Sequence, residues 1–89
     1  SISTLGTSLL DLTRYLGPAI RKHRELIRLS QEELADRSSL DRTYISGIER
    51  GRRNPTVKIL QKVADALGVN LDVIFATARD IARRDIEKH

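Results

Sequence analysis

An all-α fold of five helices around a single core is what this sequence predicts, and three observations predict it. At 89 residues the chain can close only one core. Aromatic residues make up 3% of it, namely Tyr15, Tyr44 and Phe75. The core must therefore be built from Leu, Ile, Val and Ala, which suit helices at least as well as strands. Finally, apolar residues recur at helical spacing between capping residues that cut the chain into short segments.

Each segment can be justified in turn. Ser1 to Thr13 is rich in Ser and Thr around Leu5, Leu9, Leu10 and Leu12, and residues 1–15 read as an N-terminal arm or a short helix. Pro18 is tolerated in a first turn but not in a helix interior, so the first main helix is expected from about Leu16 to Leu29. Leu16, Ile20, Leu26 and Ile27 form its expected buried stripe. Ser30-Gln31-Glu32-Glu33 is a capping box that opens a second helix at Gln31, with Leu34 and Ala35 inward and an end near Ser38. Asp41 caps a third helix, Arg42 to Arg50, which buries Ile45 and Ile48 and is stopped by Gly51. Asn54-Pro55 closes a basic loop, and Thr56 caps a fourth helix that carries Ile59, Leu60, Val63, Ala64 and Leu67 and ends at Gly68. Asn70 caps an extended fifth helix whose apolar residues are Leu71, Ile74, Phe75, Ala78, Ile81, Ala82 and Ile86. Residues 16–76 form the expected domain, and residues 77–89 continue its last helix.

Composition excludes several classes of function. With no Cys in the chain, disulfides, thiolate metal sites and thiol catalysis are ruled out. No apolar run approaches the roughly 20 residues of a membrane span, and the start lacks a signal peptide's basic region, so a soluble cytoplasmic protein with no membrane partner is expected. Ser, Asp and His occur without a nucleophile elbow, a Gly-rich phosphate loop or a metal motif, so no enzyme, cofactor or metal is expected. His23 and His89 lie too far apart in sequence to suggest a metal site and read as solvated.

The charge is informative where it clusters. The chain carries 16 Lys and Arg against 12 Asp and Glu, a net charge of +4. Arg42, Arg50, Arg52, Arg53 and Lys58, against Glu49 alone, hold an equal excess between residues 42 and 58. A merely solvated helix face would intersperse the signs. Two short helices joined by a tight turn, the second showing small polar and basic groups before a basic loop, are what major-groove recognition requires. The second helix enters the groove, and the first crosses the backbone. Arg42 can donate to a guanine edge, and Thr43 and Ser46 can bond several bases. Gly47 leaves room for close approach. Taken alone, Gln31 reads equally as a solvated helix-start residue and Tyr44 as a packing residue; their joint spacing favours contact with DNA. Glu49 would be repelled by phosphate and reads as structural, paired with a base such as Arg24 or Arg50.

Leu34-Ala35, Tyr44-Ile45-Ser46, Ile48-Glu49-Arg50-Gly51 and Asn54-Pro55-Thr56 resemble the phage-repressor and Cro-like helix-turn-helix family, a resemblance that runs from Leu16 to Phe75. It implies a lambda-repressor-like DNA-binding domain. Within that family the stretch Leu40 to Gly51 looks most like the controller proteins of restriction-modification systems, which are dimeric, autoregulating transcription factors. The resemblance implies phosphate contact from Gln31, base reading by Arg42 and Thr43, backbone or base contact from Tyr44 and Ser46, and a phosphate grip from Arg52, Arg53 and Asn54. It also implies a double-stranded DNA operator as partner, with RNA polymerase as a further candidate. The fifth helix's stripe outruns the core that four short helices offer, so a homodimer interface is expected at Leu71, Ile74, Phe75, Ala78 and Ile81. Two other readings stay open. One is a phage-type or toxin-antitoxin repressor on the same fold; the other is a protein-interaction module, against which the basic loop argues.

Overall fold

In a computed structural model of the chain, which describes residues 12–87, the order is α1 (Thr13–Leu26), α2 (Gln31–Ser38), α3 (Arg42–Glu49), α4 (Val57–Leu67) and α5 (Leu71–Glu87). Residues 1–11 of the expected N-terminal arm lie outside the described residues. Helix starts obey local chemistry. Ser30 Oγ accepts from the Glu33 N–H at 3.0 Å while the Ser30 N–H donates to Glu33 Oε1 at 2.9 Å, which completes the capping box. Asp41 accepts from the Thr43 N–H, and Thr56 from the Ile59 N–H. Those bonds start α3 and α4 where the sequence places them.

Helix ends show one recurring device. After α1, α2, α3 and α4, a residue at positive φ turns the chain so that two further N–H groups reach back to the last turn. Glycine fills that position after α3 and α4, as Gly51 (φ 77) and Gly68 (φ 76), but Arg28 (φ 55) and Ser39 (φ 58) fill it after α1 and α2. The first helix thus ends at Leu26, three residues before the expected Leu29. The Arg28 N–H bonds the Glu25 carbonyl and the Leu29 N–H bonds that of Arg24, both at 3.0 Å. The turn swings Leu29 into the core and leaves Leu26 and Ile27, expected in the buried stripe, 68% and 46% exposed. At its other end α1 begins at Thr13, so Pro18 lies inside the helix. The backbone hydrogen bond Pro18 cannot make is offset by what the extra turn adds: a half-buried Tyr15 whose hydroxyl donates to Asp85, ahead of a buried Leu16.

The core comprises Leu16, Ala19, Ile20, Leu29, Leu34, Ala35, Ile45, Ile48, Leu60, Val63, Ala64, Leu67, Ile74 and Ala78. Helices α1 and α5 run antiparallel across it. Tyr15 meets Asp85 at one end, at 2.7 Å, and His23 Nε2 meets Thr77 Oγ1 at the other, also at 2.7 Å. Burial, and after it the charge of Lys22, hold His23 below its usual pKa. This packing corrects the expected dimer interface. Ile74 and Ala78 are fully buried in the protomer itself, because α1 supplies the long stripe with a partner inside the chain. Ile81 is half-buried and lines a cleft with Tyr15 and Pro18 of α1. Leu71 and Phe75 are also half-buried, and Ile86 is 49% exposed. At 3.6 residues per turn Phe75 and Ile86 fall within about 20° of each other on the other flank of α5 from Ile81, with Leu71 nearer the buried face.

Candidate nucleic-acid interface

Helix α3 buries Ile45, Ile48 and Glu49 and turns the rest of its surface outward. Arg42 and Thr43, at its first two positions, are exposed; Tyr44, Ser46 and Gly47 are half-buried. Beyond it Arg50, Gly51, Arg52, Arg53 and Asn54 are all exposed. The predicted residues of α3 and its loop therefore form one continuous polar and cationic surface. Among the described residues the salt bridges are Arg21–Glu25, Arg24–Glu49 and Arg84–Asp80, so the Arg side chains of this surface enter none of them.

Gln31 joins this surface through a buried network. Arg24 Nε donates to Glu49 Oε2 at 2.7 Å, and Nη2 to Oε1 at 2.9 Å, with side chains 11% and 3% exposed. The third donor, Nη1, bonds the Leu29 carbonyl at 2.8 Å. Glu49 Oε1 also accepts from Gln31 Nε2 at 3.0 Å. Of the two bases that sequence reasoning offered as partners for Glu49, Arg24 takes the role. The hydrogen bonds to Glu49 raise the Arg24 pKa further, so the guanidinium is charged at any relevant pH. A bidentate pair of this kind fixes orientation as well as distance. It ties the end of α1, the start of α2 and the end of α3 at one point, and so sets the angle at which α3 is presented. The Gln31 amide keeps a second N–H and its carbonyl for another partner.

Two glycines matter in ways their positions in the sequence do not announce. Gly17 lies where α1 crosses the end of α3, and a Cβ there would collide with the carbonyls of Ile48 and Glu49. The space at Gly47, expected to admit DNA, is occupied by the Arg53 side chain.

Residues 20–74, more than half of the chain, match the helix-turn-helix family. The chain belongs to that family. This helix-turn-helix chain is 39% identical over 79 residues to the control protein C.MunI of a Mycoplasma species, covering 88% of this chain and 96% of that protein. It resembles the restriction-modification controller protein C.Esp1396I, solved as a tetramer with its natural 35-base-pair operator, with a TM-score of 0.71 and 43% identity over 76% of this chain and 90% of that one. It is also 39% identical over 62 residues to an uncharacterized helix-turn-helix regulator of Mycobacterium tuberculosis, covering 70% of this chain but only 44% of that longer protein. Among the described residues no helix is long and apolar enough to cross a membrane.

Proposed function

We propose that the chain is a sequence-specific DNA-binding transcriptional regulator of the restriction-modification controller type, a cytoplasmic protein that binds a two-fold related operator as a homodimer and regulates its own promoter. The observation that carries this is the exposed surface of Arg42, Thr43, Arg52, Arg53 and Asn54, displayed by α3 and its loop on the fold of an operator-bound controller. Arg42 and Thr43 sit at the helix N-terminus, where base edges are read in the major groove. Gln31, Arg52, Arg53 and Asn54 contact phosphate around them, and Tyr44 and Ser46 contact backbone or base according to the docking angle.

A duplex selected by the protein from a random DNA pool is the natural probe. Binding should weaken steeply with salt, since the basic surfaces of two protomers displace counterions from several phosphates. Arg42→Ala is expected to cost about 1–3 kcal/mol and to relax preference at one base pair in each half-site. Titrations across salt concentrations and across single-base variants of the duplex measure both effects. A salt-independent affinity, or an Arg42→Ala protein with unchanged affinity and preference, would refute the proposal.

The dimer face we assign is the open flank of α5, with Leu71 and Phe75 at its edge and Ile86 exposed at its far end. A second copy related by two-fold symmetry would cover it and set the two α3 helices about one DNA turn, roughly 34 Å, apart. In sedimentation experiments at micromolar concentration the unmodified protein should run as a dimer and Ile86→Asp as a folded monomer. A variant that stays dimeric would move the interface elsewhere.

A further inference from the structure

A glycine within a helix is costly, and Gly47 sits inside the last turn of α3. The space it frees is used by Arg53. A Cβ at position 47 would come within 2.7 Å of Arg53 Cγ, so the aliphatic stem of Arg53 lies directly across the glycine. The backbone holds the stem there: the N–H groups of Arg52 and Arg53 both donate to the Gly47 carbonyl, at 2.8 and 3.2 Å. The guanidinium carbon then lies 5.7 Å from the centroid of the Tyr44 ring, within cation–π range. Tyr44 and Gly47 are one helical turn apart on the same face of α3.

We propose that Gly47 and Tyr44 are positioning residues for Arg53, fixing its guanidinium against α3 so that it meets DNA as part of the recognition helix and not as a free side chain of the loop. This rests on the DNA-binding reading above. A long side chain ordered before it binds loses less freedom on binding, and its charge arrives at a set place against α3. Gly47 supplies room for the stem, and Tyr44 supplies the surface on which the guanidinium rests.

The test uses the intact protein and the duplex it selects. In the free protein, NMR should show the Arg53 Hδ protons shifted upfield by the Tyr44 ring current, and Gly47→Ala should abolish that shift. Gly47→Ala should melt no lower than the unmodified protein, because Ala is the better helix former. It should weaken duplex binding by roughly two- to tenfold, no more than Arg53→Ala does, and the double variant should be no weaker than Arg53→Ala alone. Additive losses would overturn the proposal, since the new methyl group would then be acting on DNA directly. A free protein without the ring-current shift would also overturn it. If the unmodified protein selects no duplex, the DNA reading fails and this proposal with it; the shift, read without DNA, tells that failure from a failure of positioning.

Discussion

Glu49→Ala is expected to destabilise the protein by about 3–5 kcal/mol, because it leaves the Arg24 guanidinium buried without its counter-charge. Against a total stability of roughly 5–15 kcal/mol that is a large fraction, and in a domain of this size it lowers the melting temperature by about 15–30 °C. Burial is what makes the effect large: the Arg24 and Glu49 side chains are 11% and 3% exposed, whereas both members of the exposed pair Arg21–Glu25 are more than half exposed. Removing that surface pair should change stability by less than about 1 kcal/mol. Breaking the buried one also frees Gln31 and loosens the hold of α3 on α1 and α2. Replacing both partners together, as in Arg24→Met with Glu49→Leu, removes the unpaired charge and should recover much of the loss. Thermal melts followed by circular dichroism measure all three variants. A Glu49→Ala protein that melts within a few degrees of the unmodified one would show that the pair does not hold these helices together.

What could be read in the sequence was what local chemistry decides. Ser30 with Glu33, Asp41 and Thr56 each satisfy backbone donors within three residues of themselves, so three helix starts follow from the residue types alone. The ends at Gly51 and Gly68 were legible because glycine is the residue expected at positive φ. The end of α1 was not, because Arg28 adopts the same conformation without being glycine, and the burial of Leu29 in place of Leu26 and Ile27 follows from that one turn. The long stripe of α5 was visible, but its partner was not. Periodicity tells that Ile74 and Ala78 must be covered, and only the tertiary arrangement tells that α1 covers them. The candidate site divides in the same way. The residue types of Arg42, Thr43 and the basic loop announce themselves, and Arg24 is legible as one of two candidate partners for Glu49, whereas the bond from Gln31 that brings a third helix to the same carboxylate is not. Spacing shows that Gly47 leaves room on α3 but cannot show that Arg53 folds back into that room.

Gly17→Ala puts two principles in opposition and should show which one wins. Helix propensity alone favours the substitution by up to about 1 kcal/mol, since glycine is the worst ordinary helix former and Gly17 lies within α1. Packing opposes it. The new Cβ would overlap the Ile48 carbonyl oxygen and come within 2.7 Å of the Glu49 oxygen and 2.9 Å of the Glu49 carbonyl carbon. These are backbone atoms of the last turn of α3, so no side-chain rotation relieves the contact and one helix must move away from the other. Overpacking of a tight interior costs typically 1–3 kcal/mol, and contact with backbone places this case at the upper end. The expected net result is a loss of about 2 kcal/mol for Gly17→Ala, with Gly17→Val failing to fold. Separation of α1 from α3 also stretches the Arg24–Glu49 bonds, which reach from α1 to that same last turn of α3. A double variant with Glu49→Ala should therefore lose less than the sum of the single losses. Denaturant titrations of the single and double variants give both quantities. A Gly17→Ala protein as stable as the unmodified one would show that α1 and α3 do not approach this closely.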